Sequence, residues 1–474
     1  MDIVDKIPNF AATKLYNMDI KKLMVASALL MSMTTMAQTG KGGTWTLDDC
    51  LNYAIKNNIS LQKQQLSRLS AVEDVKQSQK ALLPTLSANT SQMFGWRPWI
   101  NDQTTTVANG TVTNKISKTY YNGSYGVNAN WTVWNGNRNR NTIKLNQLTE
   151  QKAEKDSAAT ALQLKEQIAS LYVQILYLTE AVAVNKQTLE TSIKNEERGK
   201  TMLEVGKMSK ADLAQLTAQR AQDEYYIVNA QSQIATAKKN LKQLLEITNN
   251  EEFEIYIPED IAETNDQKAL EAIPNLNETY QAALASRPEI ASAQLSIKSS
   301  ELNLAIAKAG KLPTIGINGS IGTSSSSMSD RAWDQQIKTN FDAGMGLSLS
   351  VPIFDGRQTK TAVNKAVLQR RQAELDLMDN QKQIWNTIEG YWIEATTNQQ
   401  KFRSAQVSVE SQQASYDLLS EQFNLGLKNI VELMTGKTNL LNAQQEKLQS
   451  KYMTILDIQM LKFYASASSD ASTL

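Results

Sequence analysis

The chain has 474 residues, of which 41% are hydrophobic and 20% charged, and its formal net charge at pH 7 is +1. Such a balance leaves no electrostatic footprint for nucleic acid, and the thin apolar fraction suits elongated helix packing better than several compact cores. There is no histidine and one cysteine, Cys50, which removes His-dependent triads, His-ligated zinc and any internal disulfide. No Asp/Glu pair stands out from the helical charge pattern, so the chain reads as a non-enzyme with no catalytic, cofactor or metal residues.

Near the N-terminus, Lys21-Lys22 precedes the apolar run Leu23–Met31 and the small-residue end Thr34-Thr35-Met36-Ala37. That order predicts a signal peptide with an N-terminal extension over residues 1–37, cut after Ala37, with Met18 as a candidate start. The apolar run is well short of the ~20 residues a spanning helix needs. Cys50 lies too far from the cut to carry a lipid.

The first structural repeat is expected over residues 45–248. It opens with a helix to Lys80, broken near Asn57-Asn58 and stopped before Leu83-Pro84, because the residue preceding proline is pushed out of the helical region. Strands are expected at about 85–95 and 120–134, and helices at 136–205 and 207–246. Residues 249–287, acidic and containing Pro258 and Pro274, read as a crossover packed outside the helices near mid-height. The second repeat covers 288–464, with strands at about 314–322 and 343–353 and helices at 356–425 and 429–462. Residues 465–474 are Ser/Ala-rich and read as a disordered tail.

The two halves match in fixed register. Trp134-Asn135-Gly136 answers to Phe354-Asp355-Gly356, and Gly206, followed by Asp212, answers to Gly426, followed by Glu432. Leu83-Pro84 answers to Leu312-Pro313 with a different offset, so the loop between differs in length, as surface loops do.

The expected strands alternate. Tyr125, Val127, Ala129, Trp131 and Val133 interleave with Gly and Asn, while Ala343, Met345, Leu347, Leu349 and Val351 interleave with Gly and Ser. This is the pattern of a lipid-facing, lumen-facing barrel strand, although a soluble half-buried sheet alternates identically. A preceding signal peptide, the long polar loops 98–118 and 323–339, and Trp96, Trp99, Trp131 and Trp134 at strand ends, where membrane girdles sit, favour the membrane reading. Four strands cannot close a barrel and an open edge is not viable in lipid, so several chains must share one barrel.

Along the first long helix, Leu164, Ile168, Leu171, Ile175, Leu178 and Val182 form a heptad seam, and Ile384, Ile388, Tyr391 and Ala395 hold the same places in the second copy. Ile227, Ala230, Ile234, Ala237, Leu241 and Leu244 continue it on the return. About 70 residues of helix span roughly 105 Å, so each repeat is a tall helical stave, matched by a short helix stacked end to end on the returning one.

Taken together, the duplicated Leu-Pro before a strand, the aromatic-Asn/Asp-Gly strand exits and the paired Gly turns make the region from about Trp45 to Tyr464 similar to the TolC-type outer-membrane efflux protein family. The resemblance implies a fold that is mainly α with a small transmembrane β part. In it a homotrimer forms a 12-stranded β-barrel in outer-membrane lipid, continued by an α-helical barrel across the periplasm. It implies a tip at Gly206 and Gly426 that docks a periplasmic adaptor protein of an inner-membrane transporter. It also implies a gate in which Lys428 pairs with Asp212, with Glu432 in an acidic constriction. Lys428 stands where Arg is more usual and loses bidentate geometry. Thr435 stands where a second acid is usual, and Phe423 replaces a tyrosine that helps the lock.

No phosphate-binding Gly-rich loop occurs, so the duct is expected to be passive. Three functions fit: small-molecule efflux, the duct of a type I protein secretion system, or a periplasmic coiled-coil scaffold with no pore.

Overall fold

The computed structural model describes residues 44–100, 103–106, 113–248, 253–257 and 261–466. The expected signal peptide, Pro258 and the tail beyond residue 466 lie outside the described residues.

The short strand β1 (Thr44–Trp45) leads into helix α1 (Leu47–Asn57) and helix α2 (Ile59–Lys80), which precede strand β2 (Thr85–Trp96). The loop that follows carries a small antiparallel pair, β3 (Gln103–Thr106) and β4 (Thr113–Ile116), before strand β5 (Thr119–Trp134). The long helix α3 (Arg138–Glu204) then runs down to a turn, and α4 (Lys210–Leu244) returns. After the two-residue strand β6 (Glu254–Ile255) and the short helix α5 (Ile261–Ala269), the plan repeats. Its second round is α6 (Leu276–Ser286), α7 (Pro288–Ala309), β7 (Thr314–Ser326), the loop helix α8 (Trp333–Thr339), β8 (Asp342–Ser350), α9 (Gln358–Asn424) and α10 (Ile430–Ala465). Helices α3 and α9 each have 67 residues, α2 and α7 each 22, and α1 and α6 each 11. The duplication therefore reaches back to α6 inside the crossover, one element earlier than the sequence pattern indicates.

Three further boundaries differ from expectation. Strand β8 stops at Ser350 rather than 353, because Pro352 has no N–H to give the ladder. Strand β7 runs on to Ser326, where the Gln336 side chain of α8 accepts from the Ser326 N–H. Ala465, expected in the tail, is the last residue of α10.

The staves stack as expected, and named residues make the joints. Asn58, the N-cap of α2, accepts from the backbone N–H groups of Ser60 and Leu61 and donates to the last α4 turn at Leu244 O, 3.1 Å away. So α2 continues α4 along one flank of α3. Likewise α7 continues α10, joined at Arg287. Packing contacts run from the α2/α4 column to α3, from α3 to the α7/α10 column, and from that column to α9. The wall has two open flanks, α2/α4 and α9.

The seam residues are its core. Ile168, Ile175, Leu241 and Ile388 are fully buried. A belt cluster on the first hairpin joins Cys50, Leu51 and Ala54 of α1 to Leu164, Ile168 and Tyr172. Phe253 and Ile255 complete it, set by the parallel pairing of β1 with β6. Helices α5 and α6 pack against α10 in the second half.

One buried acid sits in this region. Asp457 is 2% exposed, accepts a 3.2 Å hydrogen bond from Asn398, and burial, helped by Glu394, pushes its carboxyl from 3.8 up to about 7. In the window from about pH 4 to 7 the folded state holds a proton that the unfolded state has lost, so stability falls as pH rises. The loss is of order 2–4 kcal/mol. Asp457→Asn is therefore expected to raise Tm at pH 8 and to leave it nearly unchanged at pH 4.5. Equal shifts at both pH values would sink this account.

Candidate membrane duct and tip

The sheet has the order β2-β5-β7-β8, all antiparallel, with β2 and β8 as its edges. Because directly paired residues share a face, the register sorts the two faces unambiguously. One carries Leu86, Phe94, Tyr121, Val127, Trp131, Ile317, Ile321, Met345, Leu347 and Leu349, and many of these are strongly exposed: Met345 86%, Phe94 81%, Leu347 76%. An apolar sheet face this large is not left to water.

The other face carries Ser87, Asn89, Asn128, Asn130, Asn318, Ser320, Gly344, Gly346 and Ser348, with Asn128 donating to Asn89 at 2.7 Å. Among the described residues of these four strands, Asp342 is the one formally charged side chain on that polar face.

The four tryptophans fall at two levels. Trp96, paired with Thr119, lies at the loop end of the sheet and is 70% exposed, and Trp99 just beyond it is 94% exposed. Trp131 and Trp134 lie at the helical end. Thr132 and Trp134 pair with consecutive residues of β7, Gly316 and Ile315, so Val133 is bulged out. That extra residue brings Trp134 to the same face as Trp131, and Trp131 Nε1 donates to Leu82 O at 2.8 Å. The roughly 12 residues between the levels, tilted as barrel strands are, match a bilayer's hydrocarbon core.

At the opposite end lie the turns. Gly206 has φ +72° and Gly426 φ +75°, and a Cβ at either would meet nothing within 4 Å, so the backbone angle and not space calls for glycine. Lys207 N donates to Met202 O at 2.8 Å and Leu427 N to Gln422 O at 2.9 Å, while the glycine N–H groups reach Leu203 O and Phe423 O at 3.0 Å. This is the Schellman pairing in both copies.

Asp212 and Glu432 are the third residues of the returning helices, whose N-caps are Ser209 and Asn429. Asp212 N donates to Ser209 Oγ at 3.0 Å, and Glu432 completes a reciprocal capping box with Asn429.

Within the protomer the structure does not join Lys428 to Asp212. Lys428 Nζ lies 2.6 Å from Glu432 Oε1, four residues further along the same chain segment, and the Ser209 hydroxyl donates to Asp212 Oδ2 at 2.7 Å. The Lys428 ammonium holds the Glu432 carboxyl below its usual range. Phe423 is buried with Tyr416, Ile430 and Leu433 in an apolar plug that also takes Leu216 from the first hairpin.

Sequence reasoning missed a polar layer above this plug. Glu196 takes the guanidinium of Arg220 at 2.7 Å and the Thr217 hydroxyl at 3.1 Å, Asn195 donates to Tyr416 Oη at 3.3 Å, and Arg198 bonds Asn424. Ser192, Asp223 and Lys437 meet nearby, all buried. The signal was present: Val182, Asn185, Leu189, Ser192, Glu196 and Gly199 prolong the 3,4 seam, with polar residues in apolar places.

Among the described residues no His/Cys/Asp/Glu group could hold a metal. Cys50 is fully buried, and burial pushes its thiol up to about 12. Among the described residues the arrangement offers a helical wall, a sheet with one apolar face and a pair of tip turns.

Comparison with known proteins agrees. The chain is 21% identical over 437 residues to the outer membrane efflux protein BepC of Brucella suis, covering 92% of this chain and 88% of that one. It is 25% identical over 189 residues to the alkaline protease secretion protein AprF of Pseudomonas aeruginosa, covering 40% and 38%. The fold superposes on the outer membrane protein VceC of Vibrio cholerae with a TM-score of 0.70 at 16% identity, over 89% of this chain and 96% of that one. The family model for outer membrane efflux proteins matches residues 50–246 and 279–463, and the chain belongs to that family.

Proposed function

We propose that three copies of the chain close into one duct and that it serves as the passive exit of a tripartite efflux system for small molecules. In this reading three four-stranded sheets make a 12-stranded barrel in the outer membrane. The helical columns below make a tunnel through the periplasm, and the Gly206 and Gly426 turns meet an adaptor carrying an inner-membrane transporter.

One observation carries this reading. The open sheet edges β2 and β8 lead directly into the open helical flanks α2 and α9, so the protomer is unpartnered along the same two sides from top to bottom. Both flanks expose apolar side chains, including Leu66, Leu69, Tyr225 and Val228 on one and Leu368, Leu375, Met378 and Val407 on the other. A heterologous contact between these flanks closes a ring when its rotation closes. The scaffold without a pore leaves the apolar sheet face and both edges without partners.

Small-molecule cargo is favoured over protein because BepC, described as an efflux protein, matches nearly the whole chain, whereas AprF, described as a secretion protein, matches 40% of it. The Asn/Ser/Gly face that would line the barrel carries Asp342 as its one charge among the described residues and so discriminates little by charge.

In the closed tip, Lys428 of one protomer is proposed to lie at the seam with the neighbour and to reach Asp212 there. An exposed pair of this kind is worth about 0–1 kcal/mol, weak enough for a latch that must release. Single-channel recording of the purified protein in a planar bilayer tests both levels. Small or intermittent wild-type currents and a several-fold larger conductance in Lys428→Asp are expected, since the variant sets acids against Glu432 and Asp212. Sizeable and equal currents would retire the latch and keep the duct. No current from inserted protein would refute the duct.

A further inference from the structure

Where the first long helix passes the belt, a cavity of about 170 Å³ opens inside the protomer. Ala169 and Leu176 of α3 stand on one side of it, and Ile455 and Met460 of α10 on the other. Tyr256, next to β6, and Asn265 of α5 line it from the belt. The sequence leaves this space because position 169, only 2% exposed, carries a methyl group where a leucine would fill the gap.

Most polar groups of the lining already have partners. Tyr172 Oη donates to Tyr256 O at 2.9 Å. Tyr452 Oη donates to Glu180 Oε2 at 2.8 Å and accepts from Asn265 Nδ2 at 3.3 Å. Gln459 is the exception: its Oε1 is buried and has no hydrogen-bond partner among the described residues. An amide oxygen shut away from water without a donor costs free energy, and a ligand that brings a donor restores it. A hydroxyl both donates and accepts, so it meets either end of the amide. Among the described residues of the lining Lys268 is the one that carries a charge, and it is exposed. The interior therefore calls for a neutral occupant.

We propose that this cavity is a binding site for a small monocyclic phenol, its ring held between α3 and α10 and its hydroxyl at Gln459. Size sets the first limit. A dry apolar cavity of about 150 Å³ takes up benzene, so this one has room for a single ring and a hydroxyl. Drug-sized ligands need about 300 Å³ or more and are excluded. Wall chemistry sets the second limit. Tyr172, Tyr256 and Tyr452 present aromatic rings and Met460 a thioether, groups that favour an aromatic ring over an aliphatic one. The site is complete within one protomer, so it stands whether or not three protomers close a duct.

The test is a fluorine NMR titration of the full-length protein in detergent. Its probes are para-fluorophenol and fluorobenzene, which differ only in the hydroxyl. Ala169→Leu fills the cavity and measures how much of each probe merely enters the micelles. Gln459→Met, at a half-buried position, removes the amide and keeps the bulk. We expect saturable binding of para-fluorophenol to the wild type with a Kd on the order of 1 mM, and its loss in Ala169→Leu. Gln459→Met should weaken para-fluorophenol about fivefold and leave fluorobenzene within about twofold. Should Ala169→Leu fail to accumulate, Leu456→Phe, a half-buried lining residue of α10, is read in its place.

Wild-type binding no greater than that of the filled variant overturns the site. A Gln459→Met protein that loses affinity for both probes alike, or for neither, overturns the assignment of a phenol to it.

Discussion

Leu347→Arg should keep the protein from accumulating as an outer-membrane trimer, while Ser348→Arg, one residue along the same strand, should assemble and change only conduction. Leu347 lies at the centre of β8, paired with Ile317, and is 76% exposed on the apolar face; Ser348 pairs with Gly316 on the polar face. If the apolar face meets lipid, an arginine there costs about 2–4 kcal/mol near the bilayer midplane. The proposed trimer meets that cost three times, a total comparable with the whole stability of an ordinary domain. Ser348→Arg instead places its charge among Asn318, Gly346 and Gly316, where water is available. The measurement is the share of each variant in the outer-membrane fraction as heat-dissociable trimer, followed by conductance of what assembles. Normal assembly of Leu347→Arg beside failure of Ser348→Arg would mean that the faces are the other way round.

The two faces of the sheet are legible in the amino-acid sequence because successive strand residues point to opposite sides. One-residue alternation over Ala343–Val351 is nearly unbroken, and only the bulge at Val133, invisible to a strict alternation, was needed to bring Trp134 beside Trp131. The long helices were equally legible, because Pro-free heptads of 67 residues permit little else. The two longest helices ended at glycines with positive φ, Gly206 and Gly426, and α2 and α7 stopped before their Leu-Pro pairs. The tip was less legible. Asp212 and Glu432 are acids at conspicuous places after a glycine, yet within the protomer both carboxylates accept from the N-cap residues of their own helices, Ser209 and Asn429. The stronger polar contacts were hidden because they occupy seam positions: Asp223 stands seven residues after Leu216 and four before Ile227, and Lys437 stands between Leu433 and Leu440. A heptad search that keeps only apolar residues stops at Val182 and passes over them. Local pattern reports which face a residue takes, whereas the partner across that face depends on three-dimensional packing that spacing does not encode. Arg287 illustrates the same limit. It stands just before Pro288, the first residue of α7, and nothing in its neighbourhood announces the aromatic pair that covers it.

Arg287→Met should destabilise the protomer by about 3 kcal/mol, the largest effect expected of any single change outside the sheet. Arg287 is 5% exposed and sits where α6 ends, α7 begins and α10 finishes. Its Nη2 lies 2.6 Å from Glu166 Oε1 of α3, and its guanidinium stacks 3.7 Å from the centre of the Tyr464 ring and 5.3 Å from that of Phe463. It thus fastens the α7/α10 joint to the first long helix. In the first repeat Asn58, at the matching N-cap, joins α2 to the end of α4 with a short amide. The two joints differ because Asn58 reaches a free helix-end carbonyl, whereas Arg287 has to cross to a neighbouring helix. Methionine keeps much of the volume and removes the charge, so Glu166 is left beside Tyr391 and Tyr464 without a counter-ion, and a stacked cation worth up to about 2 kcal/mol is lost. Arg287→Lys keeps the charge but not the planar fork, and should recover less than half of the loss. Arg287→Met combined with Glu166→Gln should recover part of the loss and not all of it, because Glu289, which also faces Arg287 and has a buried Oε2 without a hydrogen bond, keeps its charge. Thermal unfolding followed by circular dichroism on the four proteins decides the matter. A Met variant as stable as wild type would show that the apolar contacts of Ile290, Leu461 and Tyr464 hold the joint without the ion pair.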